Sequence, residues 1–406
     1  MKLAKLFTAL ASIGFASLCH AQANNTVSDD VVKIGVLTDL SGVYSAGAGK
    51  GSVTAVQMAV QDFGGKVLGK PIEVVSADHL NKADTGAAKA REWFDIGKVD
   101  MVIDLANSAV AVAVQKLGAE KKRITISTAG GTVALTQREC SPYGISYAYD
   151  TYALATAAAN ALVKEGGKNW FFLTAAYNFG HTLEKDARAI VEKLGGKVVG
   201  SIKHPLNASD FSSFMVTAQA AKPDVLVLAN AGGDFSNAVR SAHEFGLVKN
   251  GKPTIAGMVV LITEVKALGL DTAQGVNYTD PFYWDYDKET RDWSQRFYKL
   301  NNTMPTFAHA ADYSATMQYL KAIEATGTDN PDAVMKQLRA TKFTDFFLRN
   351  AYLREDGRMI RDMYLAEIKK PSESRSEWDL VKIKRVISGE EAFMPLAQST
   401  CPLVKK

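Results

Sequence analysis

The sequence predicts an α/β protein of two similar lobes, each a mostly parallel sheet covered by helices. Short β-branched runs alternate with helical stretches from Val31 onward, the pattern of strands joined by crossover helices. The same alternation restarts near Tyr152. Phe63-Gly64-Gly65-Lys66-Val67 is echoed by Leu194-Gly195-Gly196-Lys197-Val198. In each copy, glycines suited to a left-handed cap close a helix and open a strand.

In the first unit Val31 to Leu37 reads as a strand. After a loop holding Ser41, Gly42 and Tyr44, the apolar positions Val53, Val56, Val60 and Phe63 follow helical spacing. Ile72 to Ser76 is the next strand, Asp84 to Ile96 a helix, Met101 to Asp104 a strand and Ala109 to Glu120 a helix. Ile124 to Ser127 closes the unit. The second unit runs through a helix from Tyr152 to Lys164, a strand from Trp170 to Thr174 and a helix ending at Leu194. It continues with a helix from Phe211, a strand from Val225 to Ala229, a helix from Phe235 to Phe245, and strands near Thr254 and Val276. Three helical segments between Lys288 and Ala340 are expected to return to the first lobe. Met363 to Ile368 and Leu380 to Val386 read as late strands, with Lys370 to Glu377 a polar connection. No long linker separates the lobes, so a chain that crosses between them more than once fits best.

The 406 residues are 47% apolar and 22% charged, which excludes a disordered or collagen-like chain. The net charge of +4 falls to about +2 without Lys2 and Lys5, and no basic cluster tracks a phosphate backbone. Nucleic acid is not an expected partner. Lys2 and Lys5 precede an apolar stretch from Leu6 to Leu18, and Ala21 and Ala23 follow. That layout is a secretory leader, residues 1–23, cleaved after Ala21 or Ala23; the run is short of the roughly 20 residues a membrane span needs. Leu18 stands where a small residue precedes a lipidated cysteine, which argues against an anchor at Cys19. Two cysteines remain after cleavage, Cys140 and Cys401. In an oxidising compartment they are expected to form one bridge tying the C-terminal tail to the body, two unrelated thiols being the alternative.

Catalytic motifs are absent. Gly47-Ala48-Gly49-Lys50-Gly51-Ser52 resembles a phosphate loop, yet Tyr44 stands where its first glycine belongs and Gly51 where Ser or Thr must follow the lysine. The dinucleotide fingerprint fails at Ser52. None of the six histidines has a partner at zinc-ligand spacing, and there is no CxxC and no GxSxG. Neither an enzyme nor a metal or other cofactor is implied.

Ligands of doubly wound folds sit beyond the carboxyl ends of strands, against helix N-termini. The strand ending at Asp104 feeds Leu105, Ala106, Asn107 and Ser108 and then a helix. Asn107 or Ser108 is its N-cap, and exposed amides with the Ser108 hydroxyl form a carboxylate site; a Ser108 that merely caps its helix is the plainer alternative. Asp104 would repel an anion if it pointed inward. Thr128, Ala129, Gly130, Gly131 and Thr132 follow the next strand and let backbone approach a ligand closely. Phe179-Gly180 and Asn230-Ala231-Gly232-Gly233 occupy equivalent loops of the second unit. Such facing loops make a cleft that a hinge motion closes.

The succession Ile34-Gly35-Val36-Leu37, Ser41-Gly42, Gly64-Gly65, Ser108 and Phe179-Gly180 resembles the leucine/isoleucine/valine-binding family of periplasmic proteins that serve ABC transporters. The likeness runs from about Val31 to Lys384. It implies a type I periplasmic binding fold with three crossovers, near Tyr147–Asp150, Tyr278–Phe282 and Ala351–Gly357. Lobe 1 would then comprise residues 29–148 and 280–352, lobe 2 residues 149–279 and 353–390, and residues 391–406 a tail. It also implies a monomeric periplasmic receptor that captures a solute between its lobes and delivers it to a permease and ATPase complex at the inner membrane.

Position by position, Ser108 matches the family's carboxylate-binding serine, and Ala129 and Gly131 its neighbours. Gly131 replaces a threonine for which Thr132 is the substitute. Phe179 stands at a usual tyrosine, Gly232 at a second, and Tyr44 in the covering loop. Gly257-Met258-Val259-Val260 offers no carboxylate where amino-acid binders place one, and Glu264 lies further on. A desolvated ammonium without a counter-charge costs several kcal/mol, against about 8 kcal/mol for micromolar binding. That argues against a simple amino acid unless Asp150, Asp234 or Asp280 reaches in. With Tyr44, Tyr152, Phe179, Phe282 and Trp284 in loops or at crossovers, the expected ligand is a small organic acid, aromatic by preference, although hinge and core packing is the plainer reading of those rings. Branched-chain amino-acid binding, a sensory module of the same fold and a secreted hydrolase are the competing functions.

Overall fold

The computed structural model describes residues 26–247 and 253–405; the leader over residues 1–23 lies outside the described residues. In the first sheet β1 (Val32–Thr38) leads through α1 (Gly49–Phe63) and the hairpin strand β2 (Lys66–Val67) to β3 (Lys70–Asp78). Next, α2 (Ala83–Glu92) returns the chain to β4 (Met101–Asp104) and α3 (Ser108–Lys121) to β5 (Ile124–Ser127), while β6 (Gly144–Ser146) forms the edge. The order is β2-β3-β1-β4-β5-β6, parallel from β3 to β6 and antiparallel at β2. β4 and β5 are buried throughout, as strands covered by helices on both faces must be.

The second sheet repeats this plan. It uses α4 (Thr151–Lys164), β7 (Asn169–Ala175), α5 (Asn178–Lys193), β8 (Lys197–His204), α6 (Ser212–Ala220), β9 (Val225–Ala229), α7 (Gly233–Glu244) and β10 (Thr254–Gly257). The short helices α8 (Ile262–Leu268) and α9 (Leu270–Ala273) then lead to β11 (Asn277–Asp280). The chain leaves through α10 (Lys288–Asn301), α11 (Phe307–Thr326) and α12 (Pro331–Ala340), and α11 lies along α1 of the first lobe. A small antiparallel sheet of β12 (Lys342–Phe343), β13 (Ala351–Leu353) and β14 (Met359–Ile360) precedes the return to the second sheet. There β15 (Met363–Ile368) and β16 (Val381–Ile387) add antiparallel strands, giving the order β16-β15-β11-β10-β9-β7-β8. The short helix α13 (Gly389–Ala392) opens the tail.

Several details differ from the sequence reading. α1 begins at Gly49, so the glycine-rich run is half loop and half first turn. The segment read as one helix from Asp84 to Ile96 turns into a π-helical turn over Trp93–Gly97. That wider turn buries the consecutive residues Trp93 and Phe94 together, with Trp93 pressed on Gly35. The glycine echo also splits. Gly64 and Gly195 both have positive φ after their helices, but Lys66–Val67 forms a two-residue hairpin strand while Lys197 opens the long parallel β8.

At the crossings, Arg358 is fully buried. Its Nη1 donates to Ser146 Oγ at 2.7 Å, to the Tyr149 carbonyl at 2.8 Å and to Asp150 Oδ2 at 3.5 Å. Cys140 and Cys401 are bonded, with Cα atoms 5.7 Å apart. Beside the bridge the Thr400 amide and hydroxyl both donate to Gln137 Oε1, at 2.8 and 3.0 Å. The tail thereby runs from the second sheet's edge strand to the first lobe. Replacing both cysteines by serine should lower unfolding stability by about 2–4 kcal/mol, read as a reduced urea midpoint against the oxidised protein.

Candidate functional site

Where the carboxyl ends of the two sheets face each other, loops from both lobes line a cavity with about 430 Å³ of space between atoms, part of it open to solvent. Fifteen residues line it and none is charged. Its polar side chains are the hydroxyls of Ser108, Tyr44, Tyr149 and Tyr177, and its apolar wall includes Phe179, Val259, Leu261 and Phe307.

The α3 N-terminus divides its labour between two residues. Asn107 is the cap: its Oδ1 accepts from the amides of Ala109 at 2.9 Å and Val110 at 3.3 Å, and its Nδ2 turns to Asn81. Ser108 is therefore not needed as a cap. It opens the helix on the cavity wall, and neither its amide nor its hydroxyl has a protein partner among the described residues. Free donors at a helix N-terminus favour a carboxylate.

The covering loop is ordered by Asp39, whose carboxylate accepts the Gly42 amide at 2.7 Å, the Tyr44 amide at 2.8 Å and Asn81 Nδ2 at 2.7 Å. It meets the second lobe directly. The Tyr44 and Tyr177 hydroxyls bond each other, and the Gly233 amide donates to the Val43 carbonyl at 3.3 Å. A Cβ on Gly47 would stand 2.1 Å from Leu261 Cδ1, which is why that position needs glycine. The cleft is closed. Burial pushes the Tyr44, Tyr149 and Tyr177 phenols above their ordinary range; Tyr177 adds to the effect for Tyr44 and Tyr149, and for Tyr177 itself the bond from Tyr44 works against it while Asp234 adds to it, so all three stay protonated.

Of the expected site residues, Tyr44, Ser108, Ala129, Gly131 and Phe179 line this cavity. Asn107, Gly130, Thr132, Tyr152, Asn230, Gly232 and Phe282 do not, each for a local reason. Gly130 is packed against the Leu105 carbonyl and Ala111. Thr132 caps the short helix Val133–Thr136, and Tyr152 lies in the first turn of α4. Asn230 is held by His204 at 3.1 Å. Gly232, with φ 68, sits beneath the Val43 carbonyl and so touches the covering loop. Phe282 packs among Trp293, Phe346 and Phe347, and Trp284 donates to the Trp378 carbonyl; both are hinge packing. Tyr149, Tyr177, Leu261 and Phe307 were not anticipated. Tyr177 is two residues from Phe179 and Tyr149 is inside a predicted crossover, so the signal was present for both.

The carboxylates held in reserve do not reach in. Asp150 pairs with Arg358, Asp234 accepts the amides of Asn207 and Ala208, Asp280 accepts that of Phe282, and Glu264 that of Leu261. Beneath the cradle Asp104 and Asp312 are fully buried. Thr128 Oγ1 donates to Asp312 at 2.5 Å, while both Asp104 oxygens and the Ser52 hydroxyl close no bond of ordinary geometry. Burial, which outweighs the nearby Thr38 and Ser52 hydroxyls, raises the Asp104 carboxyl to about 7, with Asp39 adding repulsion. It raises Asp312 well above the carboxylate range, with Asp104 adding to the effect. His309 supplies no counter-charge. Its Nδ1 accepts from the Thr306 amide, its Nε2 faces the Ala48 carbonyl, and burial lowers it to about 4. Asp104 therefore does not oppose an anion as a full charge.

A folded-state carboxyl raised above its unfolded value of about 3.9 makes the folded protein bind more protons, so stability falls as pH rises from about 4 to about 7. Asp100, Asp186 and Asp280 are also raised and contribute to the slope, so Asp104→Asn should make it shallower, with the variant melting above the unsubstituted protein at pH 8 and close to it at pH 4. Melting curves across that range check it.

The family model described as periplasmic binding protein matches residues 31–374. The chain belongs to this family: it is a type I periplasmic binding protein, a solute-binding receptor of the ABC transporter kind and not an enzyme. A periplasmic binding protein from Burkholderia mallei superposes with a TM-score of 0.90 at 50% identity, over 93% of this chain and 100% of that one. A branched chain amino acid ABC transporter periplasmic ligand-binding protein from Burkholderia xenovorans LB400 gives 0.83 at 39% identity, over 92% and 99%. Leu/Ile/Val-binding protein homolog 6 of Brucella abortus is 24% identical over 351 residues, 84% of this chain and 88% of that protein.

Proposed function

We propose that the protein captures a small organic acid, by preference an aromatic carboxylate, in the interlobe cavity and presents it as a monomer to a permease and ATPase complex at the inner membrane. Residues 1–23 direct its export in this reading. The observation that carries the ligand class is the wall itself: unpartnered donors at Ser108, neutral phenols, apolar surface and no carboxylate. An anion meets hydrogen-bond donors there, whereas an ammonium meets no opposite charge, a deficit of several kcal/mol in a desolvated site.

Two proteins of this fold, each under 25% identical to this chain, bear on the choice. One is a leucine binding protein from Thermotoga maritima; the other is a Rhodopseudomonas palustris solute binding protein in complex with p-hydroxybenzoic acid. The fold serves both ligand classes, so the decision falls to the lining residues. The name of the Burkholderia xenovorans relative favours a branched-chain amino acid instead.

Thermal-shift and calorimetric titration of the mature protein against benzoates, hydroxycinnamates, aliphatic acids and leucine decide between these readings. Aromatic acids should raise the melting temperature and leucine should not. Ser108→Ala should weaken acid binding about tenfold to a hundredfold, the loss of a hydrogen bond to a charged group. Tight leucine binding with no response to acids would overturn the proposal.

A further inference from the structure

From the contacts of Tyr149 we infer that this side chain, together with Gly131, is the device by which the cavity rejects ligands carrying an α-ammonium. The inference rests on the organic-acid reading above and names the residues that enforce it. Tyr149 lies on the first crossing, is 5% exposed and lines the cavity. Its hydroxyl donates to the Ala129 carbonyl at 2.8 Å, and its ring stands edge-on to Phe307 with centroids 5.0 Å apart. Its backbone is fixed by the Arg358 guanidinium on its carbonyl.

Two consequences follow for a ligand next to Ser108. An ammonium presents three N–H donors and needs acceptors. Ala129 lies on the wall, but one of its carbonyl's two lone pairs is taken by Tyr149, and no side-chain carboxylate compensates. The second consequence concerns residue 131. A Cβ there would lie 2.3 Å from Tyr149 Cε2, 2.6 Å from Cζ and 2.8 Å from the hydroxyl oxygen. The phenol thus occupies the space of any side chain at 131, including one whose hydroxyl could accept from a ligand. Gly131 is small because Tyr149 is there, and one aromatic side chain both takes a lone pair of the Ala129 carbonyl and excludes a side-chain acceptor at 131.

The test uses phenylacetate and phenylglycine, which differ by one ammonium, titrated calorimetrically into the full mature protein. The unsubstituted protein should prefer phenylacetate by at least a hundredfold. Tyr149→Phe keeps the ring but releases the Ala129 carbonyl, so the preference for phenylacetate over phenylglycine should narrow about tenfold. A second variant, Tyr149→Ala with Gly131→Thr, should narrow the preference further, and it stands in if the first variant fails to fold by circular dichroism. A preference for phenylacetate left unchanged in both variants overturns the role of Tyr149 while the organic-acid reading stands. Unsubstituted protein that binds phenylglycine at least as tightly as phenylacetate, or that binds neither, overturns both.

Discussion

A guanidinium that solvent does not reach ties the crossings together. Arg358 comes from the third crossing and donates into the first, to Ser146, Tyr149 and Asp150, while Phe393 of the tail stacks on it at 4.7 Å. Burial lowers it to about 10, so it stays charged at neutral pH. Removing one partner of such a buried pair is strongly destabilising, because the remaining charge has nowhere to go. The geometry of the cavity inherits this rigidity: the carbonyl that Arg358 holds belongs to the residue whose phenol reaches Ala129.

The distribution of charge follows one rule. Carboxylates are abundant near the cleft, but each is turned away from the wall and occupied by backbone amides, as with Asp39, Asp234, Asp280 and Glu264. Asp104 and Asp312 lack that provision, and burial raises both carboxyls, favouring their protonated forms. What faces the cavity carries no charge.

The two-lobe plan was legible in the sequence because parallel strands buried on both faces read as continuous β-branched runs, as at Met101–Asp104 and Val225–Ala229. The position of the cradle was legible too, since a strand ending in Asn107-Ser108 before an Ala/Val helix announces an N-terminus. Which of the two residues caps was not, because both can; only coordinates reveal that Asn107 takes the amides. Loop aromatics were harder. Phe282 and Phe179 look alike in sequence, yet one packs in the hinge and the other faces the cavity, a difference set by contacts more than 40 residues away in the chain. Phe307 escaped for the same reason: it comes from a segment whose role depends on where the crossings bring it.

The lips of the closed cleft are joined by weak links. Tyr44 to Tyr177, Gly233 to Val43 and Thr132 to Thr182 are neutral hydrogen bonds, each worth about 0.5–1.5 kcal/mol net. Small apolar contacts such as Gly47 on Leu261 act in the same direction, since opening would re-expose them. A guest that touches both lobes would add its contacts to these links and so favour the closed form. The wall offers such contacts. Ser108, Ala129 and Phe307 come from the side that carries the first sheet, Tyr177 and Phe179 from the side that carries the second. A ligand bound to the first set alone would leave the lobes free, whereas one filling the space between the sets contributes its apolar area to closure as well as to binding.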